Sequence, residues 1–448
     1  MKLTVLGGGG FRVPLVHRAL LADDSATRVD ELVLHDVDPQ RLRIVAAVLA
    51  QAEEQSGRRG PRISLETDLA SAVRGANFIF SAVRVGGLAG RVCDERAASS
   101  HGVLGQETTG AGGVTYGLRT VPVALDIART VRESAPEAWV INFTNPAGMV
   151  TEAMASVLGD RVLGICDSPV GLFKRVARAL DIDLARAWFD YAGLNHLGWL
   201  RRVLVDGVDV LPDLLGDPVR LATTEEGRLF GAPWLATLGC VPNEYLWYWY
   251  YNADSVTALD TAGETRGEFL TRQQSGFFEA AGASDDAFGL WERTRREREE
   301  TYMADTRESS GAGEREAEDL EGGGYDRVAL AVMQAIAADR SSTLVLNVRN
   351  QHALAGLDTD AVVEVPCQVD SNGARPLATP PLDAHALGLV TSVKDVERTT
   401  IEAARSGSLG LATRALALHP LVDSVTTARA ILATQLEQLP ELRRVFAH

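Results

Sequence analysis

Met1-Lys2-Leu3-Thr4-Val5-Leu6-Gly7-Gly8-Gly9-Gly10-Phe11-Arg12, followed downstream by Glu31-Leu32-Val33-Leu34-His35-Asp36, is the stretch that decides the fold. Lys2 to Leu6 is a short, weakly alternating run that stops at four glycines. Phe11 to Leu21 then reads as a helix, with Pro14 tolerated in its first turn. Glu31 to Asp36 is a second apolar run and ends in a carboxylate. Strand, glycine turn, helix and strand make a βαβ unit. Glycines there permit a tight turn and a close approach of the backbone to a pyrophosphate facing the helix N-terminus. An acid closing the second strand can accept hydrogen bonds from an adenosine ribose. Asp36 lies 27 residues after Gly9, beyond the usual interval of about 20. Arg12 stands where the third glycine of the pattern belongs. Taken alone, the motif therefore also admits an ordinary strand-to-helix turn.

Working outward, the rhythm repeats. Pro39 to Ser56 is helical in pattern, opened by Asp38 or Pro39. Asn77 to Val83 reads as a strand, Thr120 to Ser134 as an amphipathic helix, and Ala138 to Phe143 and Arg161 to Cys166 as strands. Such alternation predicts an α/β fold with a parallel Rossmann-type sheet, whose ligands bind past the carboxyl ends of the strands. Asp36, Arg84, Asn145, Cys166 and Asp167 occupy those places. Further on, Tyr325 to Ala338 reads as a helix, Leu344 to Val348 and Ala361 to Val369 as strands, and Val393 to Phe446 as helical almost throughout. Thr301 to Glu321 is polar, acidic and glycine-rich, which predicts a mobile surface loop with no binding role. The expected division is a nucleotide-binding domain over 1–168 and a substrate and oligomerisation domain over 169–448. The second would be mixed α/β and largely helical, its helices covering one sheet edge.

Acidic residues outnumber basic ones 60 to 44 in 448 residues, a formal charge of −16. That field argues against nucleic acid and anionic membrane as partners. No run approaches the roughly 20 apolar residues of a membrane helix, and the N-terminus lacks the apolar core of a signal peptide. A cytoplasmic location follows as an expectation. Cys93, Cys166, Cys240 and Cys367 are sparse and without a CxxC pair, as expected of free thiols rather than a disulfide or zinc framework.

Five segments then align with a known family. They are Arg84-Val85-Gly86-Gly87 with Arg91 and Asp94-Glu95-Arg96; Gly105-Gln106-Glu107-Thr108; Ile141 to Gly148; Gly164-Ile165-Cys166-Asp167-Ser168-Pro169; and Gly193-Leu194-Asn195-His196. In this order they resemble glycoside hydrolase family 4, the NAD- and divalent-metal-dependent 6-phosphoglucosidases and their relatives, an exception to the two-carboxylate mechanism. The resemblance runs from Met1 to about Pro440, strongest from Arg84 to His196. It implies a lactate/malate dehydrogenase-like fold that binds NAD and Mn²⁺ or another divalent metal. Gly7, Gly8, Gly9, Phe11, Arg12, Asp36 and Arg84 would hold the dinucleotide. Cys166 and His196 match two metal ligands, Asp167 the acid that assists the leaving group, and Tyr245 the base at C2. Arg91, Asn145 and Arg266 match groups on the sugar phosphate, and Glu107 an acid near the metal and ribose. The implied substrate is a phosphorylated disaccharide or aryl glucoside, and the implied assembly a homodimer or homotetramer.

The implied reaction oxidises C3, eliminates across C1–C2, adds water and reduces again. Asn142 to Ala153 resembles the β-specific members, whereas an aspartate after the cysteine resembles the α-specific ones. Read without the family, Cys166 and His196 are ordinary core residues, Tyr245 packs in an aromatic run, and Arg91 and Arg266 are solvated. A 2-hydroxy-acid dehydrogenase or a non-catalytic sugar-phosphate sensor would share the nucleotide domain. Net accumulation of NADH without metal would mark the first, and ligand binding without turnover the second.

Overall fold

The computed structural model describes residues 1–316, 320, 324–422 and 424–447. Among the described residues thirteen strands form one sheet: β1 (Lys2–Leu6), β2 (Glu31–His35), β3 (Arg62–Glu66), β4 (Phe78–Ser81), β5 (Trp139–Asn142), β6 (Val162–Gly164), β7 (Ala187–Leu194), β8 (Leu197–Val205), β9 (Val208–Asp209), β10 (Val241–Pro242), β11 (Ser342–Arg349), β12 (Val362–Asp370) and β13 (Gly373–Pro376). The order is β10-β8-β7-β12-β11-β6-β5-β4-β1-β2-β3, with β13 beside β12 and β9 beside β8. The six strands β3-β2-β1-β4-β5-β6 are all parallel, which is the doubly wound dinucleotide-binding order. Past β6 the sheet turns antiparallel. Asn347 of β11 pairs with Gly164, and Glu364 of β12 pairs with Gly193 of β7. The boundary expected at residue 168 thus falls after β6, while the sheet runs on without a break.

Local chemistry explains most element ends. The helix Pro39–Ser56 begins where Asp38 accepts from the backbone N–H of Gln40 and Arg41, and stops at Gly57 with φ 64°. Either device contributes about 1 kcal/mol. The helix expected from Thr120 begins at Ala111 instead. Its first turn holds Gly112 and Gly113, where an added Cβ would meet the Gln106 and Thr108 carbonyls at 2.0 and 2.2 Å. Glycine therefore lets this helix start against the 106–108 segment, although a glycine pair reads as a turn.

The C-terminal helices Ala384–Ser406, Leu409–Leu418 and Val425–Gln438 do not cover a sheet edge as expected. They pack on the helices Ala111–Ser134 and Gly87–Ser99. The apolar faces of Leu118, Val121, Ile401, Leu416, Ile431 and Leu432 are buried there, at about 1.5–3 kcal/mol for each large side chain. A buried Arg119–Asp94 ion pair, joined by Thr115 and Gln435, fixes their register. The segment expected as a mobile loop from Thr301 is also ordered where described. Ala304–Ser310 is a helix, Thr306 and Arg307 are buried, and Arg315 lies 3.5 Å from Glu299. Internal ion pairs and carbonyl contacts supply what its polar composition could not announce. Residues 317–319 and 321–323, which include Gly322 and Gly323, lie outside the described residues.

Candidate active site

The glycine loop lies over the carboxyl ends of β1, β2 and β4. Gly7 takes φ 84°, and a Cβ there would meet the Ala82 carbonyl at 2.5 Å. At Gly8 a Cβ would sit 2.8 Å from the His35 nitrogen. These contacts force glycine and keep side chains away from the N-terminus of the helix Val13–Leu21, which has no side-chain cap, while the Gly7, Gly8, Gly9 and Gly10 N–H groups donate to His35, Asp36 and Gly7. Asp36 accepts from the Gly9 N–H at 3.0 Å and the Asp38 N–H at 3.1 Å. One lone pair on each oxygen is thereby used to hold the loop, and the others remain for ribose hydroxyls. Phe11 turns its ring into the core, edge-on to Phe277 at 5.2 Å, while Trp291 donates to its carbonyl. Its side chain anchors the loop from behind. Arg12 lies over the Tyr325 ring at 4.5 Å, its Nη2 3.5 Å from Asp167. It therefore points from the loop toward the chemical centre.

That centre forms where β6 ends and the β7–β8 turn folds back. Cys166 is buried just past β6, and burial, then Glu364 and Asp167, push its thiol well up. His196 sits in the turn with φ 62°. Burial holds its imidazole neutral, with a pKa lowered to about 3. Its Nδ1 is 2.8 Å from Thr108 Oγ1, so Nε2 is the nitrogen left for another partner. The ring stacks on Tyr245, centroids 3.6 Å apart and 3° from parallel. Among the described residues no cluster of three or more His, Cys, Asp or Glu converges. A thiol with Asp167, Glu244 and Glu364 around it, and a neutral imidazole in the turn that Glu364 braces, are donors that suit a divalent cation. The surrounding carboxylates favour positive charge, and two protein ligands leave positions for substrate oxygens.

Tyr245 receives a hydrogen bond from the Tyr302 hydroxyl at 3.1 Å. Burial pushes the Tyr245 phenol well above its usual range, and the Tyr302 contact opposes that. Glu364, raised to about 7 by burial, accepts from Tyr191, Asn195 and Asn347 and so braces the turn that carries His196. Glu244, raised to about 7 by burial, accepts from Ser168 at 2.7 Å.

Arginines gather on the other side. Arg84 reaches Glu107 at 2.5 Å, and Arg91 bonds both Glu95 and Glu107. Burial would raise Glu107, but Arg84 and Arg91 outweigh it and hold the carboxyl at about 2. Arg266 donates to Thr301 Oγ1 at 2.8 Å and to the Arg298 carbonyl at 2.9 Å. Asn145, half-buried before Pro146, forms no side-chain hydrogen bond among the described residues. Arg298, Tyr302, Glu364 and Thr108 were not selected as site residues from the sequence. Of these, Thr108 alone sat inside a quoted motif.

The comparisons agree with this geometry. The profile described as Family 4 glycosyl hydrolase matches residues 2–182, and that of the Family 4 glycosyl hydrolase C-terminal domain matches 191–422. The "Probable 6-phospho-beta-glucosidase" of Bacillus subtilis is 33% identical, covering 98% of this chain and 96% of its own. The 6-phospho-beta glucosidase of Thermotoga maritima, solved with manganese, NAD+ and glucose-6-phosphate, superposes with TM-score 0.82 at 27% identity, covering 98% of both chains. A 6-phospho-alpha-glucosidase from gut microorganisms, solved with NAD and Mn2+, gives TM-score 0.78 at 27% identity over 97% of both. Matched by both family models along nearly its whole length and 33% identical to a full-length relative, this chain belongs to the family 4 glycosyl hydrolases.

Proposed function

We propose that this chain is a 6-phospho-β-glucosidase that uses NAD and a divalent metal, Mn²⁺ by analogy with its relatives. The observation that carries the reading is a buried thiol and imidazole with a half-buried tyrosine, near a group of four arginines, Arg12, Arg91, Arg266 and Arg298, in a −16 protein. A pocket so locally positive suits a dianionic sugar. Residues 1–168 would bind the dinucleotide through Gly7, Gly8, Gly9, Asp36 and Arg84, with Phe11 bracing the loop. Residues 169–448 would form the substrate side and the faces of a homodimer or homotetramer, working in the cytoplasm.

When bound, the dinucleotide supplies a reversible hydride acceptor, and the divalent ion at Cys166 and His196 supplies Lewis acidity. Tyr245 acts as its phenolate and takes the C2 proton at the phenol oxygen, and Tyr302, donating to that oxygen, stabilises the phenolate before the proton arrives. Asp167 delivers a proton to the leaving oxygen. Arg12, paired with Asp167, orients that carboxyl. Asn145 and the arginines hold the 6-phosphate by charge-assisted bonds. Glu107, kept ionised, holds Arg84 and Arg91 in place.

A second reading, the 6-phospho-α-glucosidase, is favoured by Asp167 standing directly after Cys166. A panel of p-nitrophenyl α- and β-glucosides with and without 6-phosphate, run with NAD⁺, Mn²⁺ and a thiol reductant, separates the two. Turnover of the phosphorylated β-glucoside is expected, with solvent deuterium appearing at C2 of the product. Turnover of the α-anomer alone would transfer the assignment to the second reading. Absence of deuterium at C2 would sink the elimination route.

A further inference from the structure

Gly105 to Gly113 is pinned where it passes the chemical centre. A Cβ at Gly105 would meet Ser99 Oγ at 2.3 Å and the Glu95 carbonyl at 2.5 Å. On the other side Gly112 and Gly113 approach the Gln106 and Thr108 carbonyls as closely. Inside this segment the Gln106 side chain turns back on its own chain. Its Oε1 accepts the backbone N–H of Thr108 and that of Thr109, both at 2.6 Å. A backbone N–H can only donate, so the atom facing both is the oxygen, and the side-chain amide has one orientation. Thr108 Oγ1 lies 3.2 Å from the same Oε1 and 2.8 Å from His196 Nδ1. The hydroxyl has a single hydrogen to place. Directed at His196, it would leave a hydroxyl lone pair facing the Gln106 oxygen. Directed at Gln106, it leaves a lone pair to accept an N–H at Nδ1.

An imidazole that binds a metal is neutral and has two tautomers. Only the one with its hydrogen on Nδ1 offers a lone pair at Nε2. Exchanging the two nitrogens by a ring flip would break the bond to Thr108 and disturb the stack on Tyr245 at 3.6 Å. The turn beneath is itself fixed, with His196 at φ 62° and Asn195 donating to Glu364 at 3.2 Å. We propose that Gln106 and Thr108 form a relay that fixes the tautomer of His196, and that Thr108 is thereby a positioning residue for the divalent metal. Donation runs one way along it: imidazole N–H to hydroxyl, hydroxyl to side-chain carbonyl. Glu107, between the two, turns instead to Arg84 and Arg91. The proposal rests on the reading of Cys166 and His196 as the metal site, and adds to it a residue that acts through His196.

The test compares wild type, Thr108→Val and Thr108→Ser as full-length protein loaded with NAD⁺. Valine keeps the shape and removes the hydroxyl, whereas serine keeps the hydroxyl. Imidazole nitrogen shifts are first recorded on isotope-labelled protein freed of metal, with His196 assigned by its loss in His196→Gln. Wild type should show hydrogen on Nδ1 and a bare Nε2. Thr108→Val should show a mixture or the opposite tautomer, and Thr108→Ser the wild-type pattern. Mn²⁺ is then titrated, and the free ion is read by electron paramagnetic resonance. Thr108→Val should raise the dissociation constant by about 10–100-fold, and Thr108→Ser by less than about threefold. A wild-type ring with its hydrogen on Nε2 would overturn the relay. So would wild-type shifts or wild-type Mn²⁺ affinity in Thr108→Val, or an equal loss in Thr108→Ser. Should Thr108→Val fail to fold, Thr108→Ala takes its place with the same expected outcomes. A wild type that binds no Mn²⁺ would instead overturn the metal reading of Cys166 and His196, while the nitrogen shifts would still decide the relay.

Discussion

Asp36, Asn145 and Cys166 stand just past the ends of β2, β5 and β6, strands whose register is fixed by backbone pairing with both neighbours. Arg298, Thr301 and Tyr302 stand on a helical excursion held to the rest by side chains: Arg266 on a carbonyl, Tyr302 on Tyr245, Arg315 on Glu299. The two sides of one pocket thus differ in what holds them. On the strand side, placement comes from the sheet, and a side chain can change without moving its neighbours. On the excursion side, placement and ligand contact share the same arginines, so one substitution alters both. The proposed chemistry lies on the first side and the proposed substrate discrimination on the second.

The largest expected effect tests the strand side. Cys166→Ser should lower turnover by on the order of 10⁴-fold, because a serine hydroxyl stays protonated near pH 7 and is a poor ligand. Its fold should survive, since the strands remain paired. Metal affinity by equilibrium dialysis checks it, and wild-type affinity in the mutant would refute the ligand role. Tyr245→Phe should cost about 10²–10³-fold in kcat, with deuterium exchange at C2 falling in step. If exchange persisted, another base would have to be sought, and Tyr302 is the neighbour to try.

Arg266→Ala examines the excursion. It should narrow the preference for the phosphorylated substrate by about tenfold and also lower the melting temperature, because it releases the end of the helix Ala287–Glu300. A narrowed preference with unchanged melting would mean that Arg266 binds phosphate without holding the helix end through the Arg298 carbonyl. Asp36→Ala should raise the NAD⁺ concentration needed for half activity roughly fivefold to tenfold, with metal affinity intact. Cofactor dependence equal to wild type would leave Asp36 as a staple for Gly9 only.

The smallest effect on activity concerns acid. His17, buried in the helix behind the glycine loop, has neither ring nitrogen hydrogen-bonded, and burial lowers it to about 4. Between pH 6.5 and about 4 the unfolded chain binds a proton there that the folded chain refuses. Stability is therefore complete above pH 6.5 and falls as pH drops toward 4. His17→Leu should remove about 1–3 kcal/mol of that loss. Urea midpoints at pH 7 and pH 4.5 decide it, and equal acid sensitivity in the mutant would clear His17.

The sequence was most readable where structure is local. The glycine loop, the Asp38-Pro39 start and the paired apolar runs of β1 and β2 each announce themselves within a few residues. Cys166 and His196 carry no local metal spacing and were legible through family resemblance alone. β3 escaped because its five residues are mostly exposed at a sheet edge and lack an apolar pattern. The order of 304–310 was equally hidden, because it depends on distant partners.

The continuity of the sheet sets what can move. An enzyme whose cofactor and substrate sides are separate lobes can admit ligand by swinging one lobe about a hinge. Here β6 pairs with β11 at Gly164 and Asn347, so a hinge near residue 168 would have to break that main-chain bridge. The side-chain-held excursion from Ala287 to Ser310 can shift without breaking that bridge. Product release, if it governs turnover, would then follow the lifetime of the Arg266 and Tyr302 contacts rather than a domain swing.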